Sequence, residues 1–167
     1  MNFRSLLAFA AITTLGFAAD GQGAPEIIHH RLNDQAHAVN GYAPTSGAVL
    51  KLITHIRKVV NRYGGRATAL RVSEFGWADR GPERPRGRFT VGKKQGPYTY
   101  QAIRSLWKAR KRLHLRGIVY YDWRDQPVYA GGKNFWGLHT GLLTRNGQAK
   151  PALRWFMKAV ASLRRLR

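Results

Sequence analysis

Short apolar runs rich in β-branched residues alternate along this chain with longer stretches whose apolar residues recur every three or four positions. That alternation leaves few folds open. The clearest helical stretch is 47–63, "GAVLKLITHIRKVVNRY", in which Val49, Leu52, Ile53, Ile56, Val60 and Tyr63 fall on one face behind a Thr45 or Ser46 cap. Residues 67–72, "ATALRV", follow a glycine pair and have the composition of a strand. A polar loop rich in Gly, Pro and Arg fills 78–97, and loops of that length in a compact domain tend to be functional or mobile. A second helix is predicted from Tyr98 to His114, with Ala102, Ile103, Leu106, Trp107 and Leu113 inward. "GIVYYDW", 117–123, is a strand by its β-branched and aromatic content, and a second long loop covers 124–149. Pro151 then opens the last helix, where its missing N–H costs nothing. Ala152, Leu153, Phe156, Met157, Val160 and Leu163 form that helix's expected buried stripe. Upstream, 36–42 reads as a strand, 24–32 as a short helix from Pro25, and 11–17 as one more strand. The order is β-α-β-α-β-α-β-α. It predicts an α/β fold of about four (β/α) units on a parallel sheet.

A chain of 167 residues that is 44% hydrophobic can bury one substantial core, so one domain is expected. It contains no cysteine, which excludes disulfides, thiolate metal sites and a thiol nucleophile. His29, His30 and His37 lack the spacing of a zinc-protease motif, and "AGGKNFWG" lacks the full phosphate-loop pattern. No metal or cofactor is expected.

Charge is the most unusual quantity: 29 Lys and Arg against 8 Asp and Glu, a net +21. Such a surface favours adhesion to nucleic acid, acidic glycans or anionic lipid. The basic residues are nevertheless spread over several segments, densest at 107–116 and 164–167, which is also how solvated helix faces look. Neither a zinc-finger nor an RNA-binding aromatic motif accompanies them. The amino terminus, "MNFRSLLAFAAITTLGFAAD", has two readings. Residues 1–22 are either a secretory signal, implying a secreted protein, or a buried strand and its loop; residues 23–167 form the domain. The apolar run there is too short for a comfortable membrane span.

In parallel α/β sheets, ligands bind where strands end and loops converge. Three strand ends here set polar groups beside aromatics: Asn40 and Tyr42; Glu74 and Trp77; Asp122, Trp123, Arg124 and Asp125. Strict alternation puts Leu70, Val72 and Glu74 on one face, so Glu74 emerges at the rim of whatever Leu70 and Val72 fill. Arg124 and Asp125 either bind hydroxyls or pair with each other, and Tyr42 and Trp136 either line the site or only pack.

"SEFGW", then "LRGIVYYDWRD", then "FWGLHTGLLTRNGQAKPALRWF" together resemble the carboxyl-terminal half of clan A retaining glycoside hydrolases of the cellulase-like and xylosidase-like kind. The resemblance covers about residues 36–160. It implies the second half of a (β/α)8 TIM barrel, a carbohydrate substrate, Glu74 as nucleophile and Trp123 as the platform beneath a sugar. Trp77, like Trp123, offers a flat face suited to a pyranose. Two departures are informative. Asn40 stands where the family has a histidine, and it cannot titrate. The chain contains no Asn-Glu pair, the usual setting of the family's acid/base glutamate. A full barrel takes about 250 residues, so this chain is half a barrel by length. A nucleophile without its acid loses most of the rate, since general acid catalysis contributes about 10²–10⁴-fold. The expectation is therefore a truncated or divergent glycosidase. The alternative is a non-catalytic carbohydrate- or polyanion-binding remnant, and a nucleic-acid binder driven by charge alone is a third reading. Open sheet edges would favour self-association.

Overall fold

The computed structural model describes residues 36–63, 65–82, 89–129 and 131–163. Three parallel strands form one sheet in the order β1-β2-β3: β1 is Ala36–Asn40, β2 Ala69–Phe75 and β3 Leu115–Tyr120. Helices α1 (Ser46–Arg62), α2 (Gln95–Leu113) and α3 (Pro151–Leu163) follow the strands in turn. The architecture is α/β with parallel strands. The strand expected at 11–17, the helix at 24–32 and the division at residue 22 lie outside the described residues, among which three (β/α) units are seen.

The core lies between one face of the sheet and the helices. Leu70, Val72 and Phe75 of β2 and Val39 of β1 meet Val49, Ile53 and Ile56 of α1 and Ala102, Ile103, Leu106 and Leu113 of α2. α1 begins as predicted, with the Thr45 hydroxyl accepting from the Ala48 N–H at 3.2 Å. Arg57 is buried, against the expectation of solvated basic faces: it donates to the carbonyls of Gly65 (3.3 Å) and Thr68 (2.6 Å), joining the end of α1 to the approach to β2. α2 starts three residues earlier than predicted. A 3-10 turn at Gly92–Lys94 leads into it, and Gln95 is buried, donating to the carbonyls of Trp77 and Thr140.

The predicted helix faces need three corrections. Tyr63 is the C-cap of α1 and 82% exposed, because the helix ends before the periodicity does. Met157 is 62% exposed: the face of α3 that meets the core carries Phe156, Ala159 and Leu163, and Met157 stands one position off it. Trp107 lies at the margin of the inward face of α2, half-buried, its ring covered by the Arg110 guanidinium at 4.3 Å. Among the described residues, no helix is long and apolar enough to cross a membrane.

Candidate functional site

β2 carries one more residue than either neighbour at its carboxyl end. Val39 pairs with Val72 but Asn40 pairs with Glu74, and Val72 pairs with Ile118 but Phe75 with Tyr120. An extra residue in one strand resets the alternation of side chains. Leu70 and Val72 face the core, Ser73 and Glu74 both turn to the opposite, open face, and Phe75 returns to the core. Glu74 therefore does not share a face with Leu70 and Val72, as strict alternation predicts. It stands on the side the helices leave uncovered, at the strand end, half-buried.

Gly76 makes this geometry feasible. A Cβ there would lie 2.0 Å from the Tyr121 carbonyl oxygen, a backbone atom with nowhere to go. The glycine of "SEFGW" lets the ends of β2 and β3 approach, with the Tyr121 N–H donating to the Phe75 carbonyl at 2.9 Å. Gly76→Ala should destabilise the chain by about 1–3 kcal/mol, the usual cost of overpacking a closed site. Denaturant unfolding measures this, and an unchanged midpoint would show that the two strand ends can separate freely.

Around Glu74 the structure gathers two tyrosines and an aspartate. The Tyr42 hydroxyl donates to Glu74 Oε2 at 3.3 Å. Burial pushes the Glu74 carboxyl above its ordinary range, the Tyr42 hydrogen bond opposes this, and the Asp122 charge adds to it. Tyr42 is held well above the usual phenol range by burial and then by the Glu74 charge, so it remains a donor. Tyr121 is pushed up to about 12 by burial, then by Asp122 and Glu74. The Tyr42 and Tyr121 rings meet edge-on at 6.4 Å, and Trp136 packs edge-on against Tyr42 at 5.3 Å. Phe89 completes the cluster, 4.6 Å from Trp136. Asn40 is at the same rim, its side-chain oxygen accepting from the Ser73 hydroxyl at 3.0 Å. The carboxylate of Asp122 accepts from the Trp123 N–H and the Gln126 amide.

Of the residues expected at the site, Glu74, Tyr42, Asn40, Asp122 and Trp136 come together. Trp77 does not. It is 0% exposed, its ring packs edge-on against Phe75 and Tyr98, and its Nε1 donates to the Ala43 carbonyl at 2.8 Å. It offers no face to a ligand. Trp123 is 57% exposed and stands outside the ring cluster around Tyr42. Arg124 is exposed, and it does not pair with Asp125. Asp125 is buried and bonded instead to Arg80 (2.8 Å), Lys150 (2.9 Å) and the Gly141 N–H (2.9 Å). Lys150 also holds Asp79 at 2.8 Å, so this knot fastens the loops after β2 and β3 to the start of α3. Tyr121 and Phe89 were not anticipated. Tyr121 could have been, because Tyr120 packs into the core and its neighbour must face the other way.

No protein-family model matches the chain, and no curated protein matches it. Solved structures do. A GH5_18 protein of Bifidobacterium longum subsp. longum in complex with Manβ1-4GlcNAc is similar at 14% identity and a TM-score of 0.58, over 78% of this chain and 30% of that one. A GH2 β-galacturonidase from Eisenbergiella tayi, bound to galacturonate, is similar at 14% identity and a TM-score of 0.54, over 77% of this chain and 24% of that one. The β-glucuronidase of Bifidobacterium dentium gives 17% identity and a TM-score of 0.51, over 76% and 21%. The chain thus shares a backbone fold with part of these structures, and it spans less than a third of their length.

Proposed function

We propose that this chain forms the part of a retaining glycoside hydrolase that carries the nucleophile, with Glu74 in that role on a β-linked oligo- or polysaccharide. One observation carries the reading: Glu74 is half-buried at the end of the central parallel strand, on the open face, with a phenol donating to its carboxylate. In the reaction a Glu74 oxygen attacks the anomeric carbon as the leaving oxygen departs with a proton from an acid. Water then releases the sugar with net retention. Tyr42 keeps the carboxylate aimed, while Tyr121 and Trp136 are apolar walls for a sugar ring. The reaction requires an acid about 5–5.5 Å from Glu74, the separation retaining enzymes use. Action outside the cell and four (β/α) units belong to the same proposal.

A second reading has its own support. Asp122, the acid whose charge reaches Glu74, has both carboxylate oxygens engaged, one by the Trp123 N–H and the other by the Gln126 amide. A site whose second carboxylate is tied up in this way, with an aromatic rim, binds sugars without cleaving them.

An aryl glycoside with a strongly activated phenol leaving group separates the two, since its departure needs no acid. Turnover should be lost by about 10³-fold or more in Glu74→Gln. In Glu74→Ala, added azide should restore product as a glycosyl azide. Sugar binding with no turnover by the parent chain, on any such substrate, would leave only the binding reading. Glu74→Gln also tests the site's electrostatics without a substrate. The native carboxyl binds its proton more tightly than the unfolded chain, whose ordinary value is 4.5, so ionisation costs stability. That cost is absent below pH 4.5 and complete above the native pKa. The variant should therefore melt higher than the parent at neutral pH, and the two should converge as the pH falls below 4.5.

A further inference from the structure

Charge is segregated in this fold. The acids among the described residues, Glu74, Asp79, Asp122 and Asp125, all lie at or beyond the carboxyl ends of β2 and β3. The helices α1, α2 and α3 contain none, while Lys and Arg recur along all three. Between α1 and α2 runs an open groove of about 330 Å³, lined by Leu50, Lys51, Thr54, His55, Lys58 and Arg112. Its four basic side chains are exposed. Lys51, His55 and Lys58 stand four and three residues apart on α1. Such neighbours lie about 5–6 Å from one another, in a row about 10 Å long.

We infer that this groove docks the phosphate backbone of double-stranded nucleic acid, independently of the site around Glu74. The lining chooses among the polyanions. A sugar ring of an acidic glycan, or an unstacked base, gains from a broad aromatic face, and no tryptophan, tyrosine or phenylalanine lines the groove. An anionic bilayer rewards apolar insertion beside the charges. Of the apolar residues of these helices Leu50 alone lines the groove, most of the others pack toward the core, and the exposed Tyr63, Trp123, Val128, Tyr129 and Met157 lie off it. The Thr54 hydroxyl is spent on the Leu50 carbonyl at 2.7 Å. What remains is a strip of cations, and a duplex, with one charge per about 1.7 Å of axis, asks for nothing else. Lysines contact phosphates as point charges, so binding is blind to base sequence.

The test titrates labelled short duplexes of two unrelated sequences into the chain at several salt concentrations. Equal affinity for both is expected. Three phosphate contacts, from Lys51, Lys58 and Arg112, contribute about −2.7 to the slope of log affinity against log salt. The triple change Lys51→Gln, Lys58→Gln, Arg112→Gln should make the slope shallower by that amount and weaken binding by about tenfold or more at low salt. The triple change Arg66→Gln, Lys133→Gln, Arg145→Gln, which has the same net charge and also alters exposed residues, should weaken it by less than about threefold. Should the groove triple fail to fold by circular dichroism, the Lys51→Gln, Lys58→Gln pair carries the same comparison, with a slope change of about 1.8. Glu74→Gln should bind as the parent does. Equal losses from the two triples would reduce the effect to bulk charge and overturn the site. So would a marked sequence preference, or tighter binding of phosphatidylserine vesicles or a sulfated glycan through the same three residues.

Discussion

Trp77→Ala should remove about 3–5 kcal/mol of stability, the usual cost of deleting a fully buried tryptophan. For a chain of this size that is a fall of roughly 6–20 °C in melting temperature. The indole fills the space between Phe75 and Tyr98, and its N–H satisfies the Ala43 carbonyl, which would otherwise be left unpaired just before α1. Trp77→Phe isolates the second contribution: most of the volume stays and the hydrogen bond is lost, a cost of about 1–3 kcal/mol. Thermal unfolding followed by circular dichroism gives both values. A platform residue would behave in the opposite way, weakening sugar binding while leaving the melting temperature alone, and that outcome would return Trp77 to the rim.

Lys150→Met should cost a similar amount, about 3–5 kcal/mol, for a different reason. Methionine matches the volume of the lysine stem, so little packing is lost. What is lost is the ammonium between Asp125 and Asp79, with its bond to the His139 carbonyl at 3.1 Å. Asp125 is then left buried with Arg80 as its remaining cation, and Arg80 is itself largely exposed. Adding Asp125→Asn removes the stranded charge and keeps an acceptor for the Gly141 N–H, so the double variant should recover part of the loss. Because the Lys150–Asp125 pair is buried, the penalty should persist at high salt. A loss below about 1 kcal/mol, the range of a surface ion pair, would show that the knot is solvated.

Local pattern made the helices legible. Their apolar residues recur at helical spacing, and only the ends of that spacing misled, at Tyr63 and Met157. The strands were recognisable by composition, and the rule that ligands gather at strand ends led to Asn40, Tyr42, Glu74 and Asp122 together. Nothing in the letters announces an extra residue at Ser73, so Glu74 was assigned to the right rim by an argument about the wrong face. Trp77 was misjudged for a related reason: beyond the bulge the chain passes back over the core, and the indole follows it inward. The Asp125–Lys150 contact joins residues 25 positions apart in loops, where no periodicity records who will meet. Neighbours in sequence, Arg124 and Asp125, were the natural guess and do not pair.

The extra residue in β2 also constrains how this chain can vary. Were Ser73 deleted, plain alternation would still carry Leu70, Val72 and Phe75 inward and would leave Glu74, now directly after Val72, on the open face. The extra residue therefore does not select the face of the acid; its removal would even the register with β1 and β3 and take away the Ser73 bonds to the Val39 carbonyl (3.3 Å) and the Asn40 side chain (3.0 Å). A single codon thus governs what braces the rim beside the acid and not the direction in which the acid points.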